Sequence, residues 1–447
     1  MIINIITILS ILFFAIKGEK LFKIPSPLSI VVLTIGIIQL NPNFFGFTTM
    51  EIFADMVLSF VVLLVLVDAF IIKWVDLKEN WLSLVYLAGV AVILSILSGV
   101  LLTNTLFFEY NLSTGAIIVL FAMVLATDPV SVVSTFKQYP KLPHKIKFLA
   151  EGESLFNDAI ALIAFLAFGI YMMQGNEVTP SYVAIITVKM LGLSILIGGI
   201  IGGIGFLLMK TTTDVMSELV LILLIAYSSF EIAELFHVSG LLAEIVAIVL
   251  LTIGIQKSYI NEKKSLTNVT NKLNTLEKPF RKKTFDFLLS NITNIKRQDN
   301  VLSFLTVIAL FVNAILFIGL AVIIDFGNML TYWKEIVVIF IITTLIRMIM
   351  MGNFAIISNK TIKIHTIDMK SYFVLLFAGI KGGLSIVMLV MLKKMVPDFE
   401  HFDMYVAIVS GIILLSMFIY VIGLTITINT NKKEFEEEYN KELEIGH

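Results

Sequence analysis

The sequence predicts an all-α, polytopic membrane protein of about thirteen transmembrane helices, two of them broken near the bilayer midplane. Three observations predict it. Of 447 residues, 58% are hydrophobic and only 15% charged, against roughly 25% charged in soluble proteins. The apolar residues run on for about 20 positions at a time, the length of a helix across a ~30 Å hydrocarbon core. They do not alternate as barrel strands do. Charge collects between the runs. A net charge of −1 excludes a basic nucleic-acid binder, and the lack of Cys excludes disulfides, thiolate metal sites and Cys nucleophiles. No P-loop, GxSxG elbow or HExxH pair is present, so neither an enzyme nor a bound cofactor is expected.

The predicted spans are 1–16, 28–40, 52–72, 81–102, 114–134, 147–172, 181–208, 216–235, 239–255, 301–325, 333–357, 371–394 and 404–428. The first has no basic residue before its apolar stretch, which reads as a retained helix and not a signal peptide. With the N-terminus outside, the inner loops and tail hold 26 of the 32 Lys and Arg, as the positive-inside rule requires. An even helix count breaks that alternation. A basic cytoplasmic loop at 256–300 carries ten bases and four acids; it reads either as an amphipathic helix on anionic lipid or as a solvated connector. The acidic tail, 429–447, reads as solvated and cytoplasmic. Gly198, Gly199, Gly202, Gly203 and Gly205 form a small-residue packing face.

Ionisable groups at membrane depth are costly and therefore candidates for function. At ~1.5 Å per residue, Asp158 lies about 16 Å into the sixth span, Asp128 and Arg347 about 21 Å into theirs, and Lys381 about 15 Å into the twelfth. Asp68 sits towards the inner side, lining the access path or capping a local network. Ser154 and Asp158 share a helix face at i,i+4, with Asn157 beside them. A hydroxyl, an amide and one carboxylate make an oxygen-rich pocket for a small hard cation. Burial disfavours the charged carboxylate, so one acid holds either a proton or a metal cation. Glu153, one residue off that face, is positioned to neutralise Arg347. Glu244 also falls within a span, without an evident role.

Two spans carry breaks. Ala126-Thr127-Asp128-Pro129 interrupts the fifth, because Pro removes a donor and disfavours helix at the preceding residue. Ala378-Gly379-Ile380-Lys381-Gly382-Gly383 interrupts the twelfth. Each break is fourth in a five-helix block, within 28–172 and 239–428, and the blocks enter the membrane from opposite sides. Inverted repeats with crossing discontinuous helices are a transporter architecture. The half-helix ends carry partial charges that Asp128 and Lys381 would neutralise.

These residues resemble the NhaP-type branch of the monovalent cation–proton antiporters. The resemblance rests on Ala126-Thr127-Asp128-Pro129-Val130 and on the run from Glu151 to Ala159, with further matches at 237–243 and 312–320. It implies a homodimer in the cell membrane, in which a core carries the ion past a dimerisation domain by an elevator motion. It implies that Asp158 carries the ion and the proton, with Ser154 and Thr127 completing the cation shell and Asn157 bracing the site. Asp128 would cap the crossed half-helices, and Glu153 and Arg347 would form a buried pair. Three positions depart from the family pattern, one of them Glu244, which stands where the family has an apolar residue. Asp68 replaces a usual Glu and would reach the ion only through water. Lys381 replaces a usual Arg, and a lysine gives up its proton more readily on burial, which bears on the coupling stoichiometry.

The expected function is exchange of Na⁺ or Li⁺ for H⁺ across the bilayer, one for one and electroneutral, because Asn157-Asp158 supplies one titrating carboxylate where electrogenic relatives place two. A K⁺/H⁺ antiporter is the alternative, and a cation channel a further one. An intramembrane aspartyl hydrolase using Asp128 and Asp158 lacks its GxGD motif.

Overall fold

The computed structural model describes residues 2–22, 25–41, 44–45, 50–212, 214–255, 278–360 and 367–445. All of the thirteen predicted stretches carry helix there. In chain order these are α1 (Ile2–Phe22), α2 (Ser26–Leu40) and α3 (Met50–Ile71). Next come α4 (Trp74–Leu106), α5 (Thr114–Leu125), α6 (Pro129–Lys137) and α7 (His144–Met173). Then follow α8 (Pro180–Met209), α9 (Val215–Leu235), α10 (Gly240–Ile255) and α11 (Lys278–Ile323). The chain ends with α12 (Trp333–Lys360), α13 (Met369–Phe377), α14 (Gly383–Met395), α15 (Phe402–Thr430) and α16 (Lys432–Ile445). Among the described residues, eight helices are long and apolar enough to cross a membrane, Thr114–Lys137 counting as one; α2, α10 and Ser59–Ile71 are shorter apolar helices.

Local chemistry sets the ends. Ser113, Asp214 and Asp368 accept the backbone N–H of Ala116, Ser217 and Ser371 as N-caps of α5, α9 and α13. Pro129 opens α6 at the position where its missing N–H costs nothing. Helices α4 and α7 each contain a wider π-helical stretch, at Val85–Val90 and Ala164–Ile170.

The chain divides into two packing units: residues 1–61, 79–186 and 311–447, and residues 62–78 and 187–310. In the first, α5 is buried on nearly every side, and the Tyr405 hydroxyl donates to the Ala116 carbonyl at 2.7 Å. Lipid gives no hydrophobic drive for helix association, so close packing and buried hydrogen bonds hold such a bundle. In the second unit, α8 lies directly on α10. A Cβ on Gly198 or Gly202 would stand 2.3 or 2.6 Å from the Ala243 or Ala247 carbonyl oxygen. The predicted glycine face is narrower than expected: Gly205 packs on Ile225, while Gly203 has nothing within 4 Å.

In the basic stretch, residues 256–277 lie outside the described residues, and from Lys278 the backbone is helical and continuous with the following span. The acidic tail forms α16, whose side chains are mostly exposed to solvent but which is anchored by Phe435, 2% exposed. Lys370 pairs with Glu434 at 3.0 Å and Glu438 at 2.6 Å, Lys141 with Glu436 at 3.3 Å, and Glu442 accepts the His144 backbone N–H at 2.8 Å. That last contact caps the N-terminus of α7.

Candidate functional site

A broken helix leaves carbonyls at one new end and N–H groups at the other without partners. The first unit satisfies most of them by crossing the two breaks. The Asp128 N–H donates to the Ile380 carbonyl at 2.7 Å, tying one interruption to the other. At the C-terminal end of α5, the Ala122 carbonyl accepts from Ala126 N–H and the Met123 carbonyl from Ser385 Oγ. The Leu125 carbonyl accepts from both Lys381 Nζ (3.0 Å) and Asn157 Nδ2 (3.1 Å). At the C-terminal end of α13, Arg347 donates to the Leu375 and Leu376 carbonyls, both at 2.9 Å. Each carbonyl end, the negative pole of its half-helix, therefore meets a cationic side chain.

The opposite poles share one acid. Asp128 is the N-cap residue of α6, and its carboxylate accepts from Ser131 Oγ. It also packs against Gly382, the N-cap of α14, so closely that a Cβ there would lie 2.5 Å from the Asp128 Cβ. Glycine at 382 is what lets the two chains cross.

Asp158 lies beside this crossing. It is 5% exposed, and its Oδ1 accepts the Thr127 backbone N–H at 3.1 Å. The Thr127 and Ser154 hydroxyls stand 2.8 Å apart. One turn of α7 thus presents a hydroxyl and a carboxylate to Thr127, in the non-helical link between two half-helices. Glu153 turns the other way and forms a bidentate pair with Arg347, both contacts at 2.8 Å. The fork geometry of guanidinium suits that role. Asn157 Oδ1 is buried without a partner. Its side chain, with those of Glu153, Arg347, Lys381 and Tyr420, lines a cavity of about 20 Å³.

The Asp158 carboxylate and the two hydroxyls beside it are oxygen groups of the kind that hold a proton or a small hard cation, with the Lys381 ammonium near enough to act on the acid. A profile for the transmembrane sodium/hydrogen exchanger family matches residues 7–430. The chain belongs to that family. Among its relatives, it is 26% identical over 407 residues to the Na⁺/H⁺ antiporter ApNhaP of Aphanothece halophytica, covering 90% of this chain and 68% of that one. It is 27% identical over 346 residues to the Na⁺/H⁺ antiporter NhaG of Bacillus atrophaeus, covering 75% of this chain but only 57% of NhaG. The sodium proton antiporter MjNhaP1 of Methanocaldococcus jannaschii has the same fold, with a TM-score of 0.68 at 16% identity over 97% of this chain and 98% of that one.

Within this exchanger-family chain, Thr127, Asp128, Glu153, Ser154, Asn157, Asp158, Arg347 and Lys381 all converge on the first unit's crossing. Asp68 is half-buried near the end of α3, in the second unit. Sequence reasoning missed Ser131, Ser385 and Ser416, whose hydroxyl accepts the Lys381 backbone N–H at 3.0 Å. Ser131 was findable, three residues after an Asp-Pro helix start. Nothing in the sequence marks the other two.

Proposed function

We propose that this exchanger-family chain is a secondary antiporter, exchanging Na⁺ or Li⁺ for H⁺ with Asp158 as the group that binds each in turn. The observation that carries the reading is the burial of Asp158 beside the Thr127 and Ser154 hydroxyls at the crossing of two broken helices. Binding either ion neutralises the carboxylate. An empty, ionised Asp158 meets a desolvation barrier of several kcal/mol or more to crossing the apolar layer, which prevents uncoupled return. One carboxylate, with Asn157 in place of a second acid, gives one cation for one proton and no net charge moved. Thr127 and Ser154 supply cation ligands, Asn157 and Lys381 hold the α5 end in place, and the Glu153–Arg347 pair fixes α7 to α12. Asp68 lines the inner approach. The protein works as a homodimer in the cell membrane, its core moving as an elevator, with the N-terminus outside and the C-terminus in the cytoplasm; no cofactor is needed.

The reading is tested in proteoliposomes carrying an interior pH dye. Na⁺ or Li⁺ pulses should change the interior pH, and Asp158→Asn should abolish the response while leaving the purified protein folded. A response to K⁺ alone would reassign the cation. Full activity in Asp158→Asn would place the exchange site elsewhere.

A further inference from the structure

The second unit holds an acid that the exchange mechanism does not use. Glu244, on α10, is 0% exposed, and among the described residues neither of its carboxyl oxygens has a hydrogen-bond partner. Ala243, Ile245, Ala247 and Ile248 around it on α10 are equally buried. Gly198 and Gly202 bring the α8 backbone onto Ala243 and Ala247, which flank it. The helices packed on α10 in this unit offer Lys189 from α8, and Glu218, Tyr227, Glu231 and Glu234 from α9. None of them hydrogen-bonds the Glu244 carboxyl. Tyr227 lies in its vicinity without bonding it, and Glu234 instead accepts the Gly240 N–H at 3.0 Å. The 62–78 segment of the same unit adds Asp68, Lys73, Asp76 and Lys78, none bonded to that carboxyl.

An ionised carboxylate needs several hydrogen bonds or a paired cation when it leaves water. Glu244 has neither, in a helix at membrane depth. A neutral carboxyl tolerates such a place far better. We propose that Glu244 is a second proton-binding site, separate from Asp158: it holds its proton while α8, α9 and α10 pack as described and releases it only when they part. Proton release then favours the parted arrangement as pH rises, so Glu244 reads pH for these helices and adds no proton to the exchange cycle. The pH-reading role rests on the exchange reading; the bound proton does not.

Infrared difference spectroscopy of the purified protein tests the proton alone. Wild type minus Glu244→Gln at neutral pH should show a protonated carboxyl band, and the same band should persist in Asp158→Asn. A carboxylate band in its place overturns the proposal. Glu244→Met should raise the melting temperature, since it removes a polar group without partners; a lower one would show that the carboxyl is bonded. In proteoliposomes, Glu244→Gln should shift the alkaline limb of the exchange profile by about one pH unit, tenfold in proton concentration, with the cation KM at neutral pH unchanged. Superimposable profiles overturn the pH-reading role. So does a wild-type membrane current that vanishes in Glu244→Gln, because Glu244 would then carry a proton.

Discussion

At the scale of single residues, the site is an exercise in placing charge where backbone dipoles and one cargo ion need it. Arg347 makes four contacts, two to Glu153 and two to the α13 carbonyls. Lys381 and Asn157 share one carbonyl, and the Lys381 ammonium is also close enough to Asp158 to interact with it electrostatically. Breaking a buried ion pair on one side strands the other charge, at about 3–5 kcal/mol. Glu153→Gln should therefore lower the melting temperature of the purified protein sharply. Glu153→Gln with Arg347→Met should recover only part of that loss, because the Leu375 and Leu376 carbonyls then lack a donor. Full recovery would mean that the helix-end contacts contribute nothing.

At the scale of elements, the crossing depends on close approach. Gly382→Ala puts a methyl 2.5 Å from the Asp128 Cβ, so it should separate the breaks, abolish exchange and lower the melting temperature. Gly203→Ala, with nothing within 4 Å, should do neither; equal effects would show that the crossing is not tight. The tail helix makes a second prediction. Burial works against the charge on Lys370, but the hydrogen bonds it donates to Glu438 and Glu434 outweigh it and raise its pKa. Burial likewise opposes the charge on Asp368, yet bonds from Ser371 and the nearby Lys370 lower its pKa. The Asp368 contribution is present above the usual Asp range near ~3.9 and lost as pH falls through its lowered value. The Lys370 contribution is present below the usual Lys range near ~10.4 and lost as pH rises through its raised value. Truncation after Asn431 removes the partners of Lys370 and should lower the melting temperature by an amount that is flat between about pH 5 and 9 and shrinks as pH rises past the usual Lys range. A difference that swings across neutral pH would contradict this. Both helix breaks were legible, because Pro129 and the glycines around Lys381 are covalent facts of the sequence. Ser154 with Asp158, and Glu153 with Arg347, followed from helical spacing and charge matching. The carbonyl acceptors at Leu125, Leu375 and Leu376 were not legible, since every residue carries one. Nor was tail docking, which turns on Phe435 in an otherwise polar helix.

At the scale of the whole molecule, the proposed exchange has two passengers competing for one acid within an exchanger fold. If it is electroneutral as proposed, Na⁺-driven proton movement in proteoliposomes should generate no membrane current, and a sustained current would require a second charged carrier. The competition itself is read most directly from the apparent KM for Na⁺ as a function of pH. The account predicts that KM rises on acidification, approaching about tenfold per pH unit in the one-proton limit, while the maximal rate stays constant. A KM that is flat with pH while the maximal rate falls would mean that proton and cation bind at separate groups.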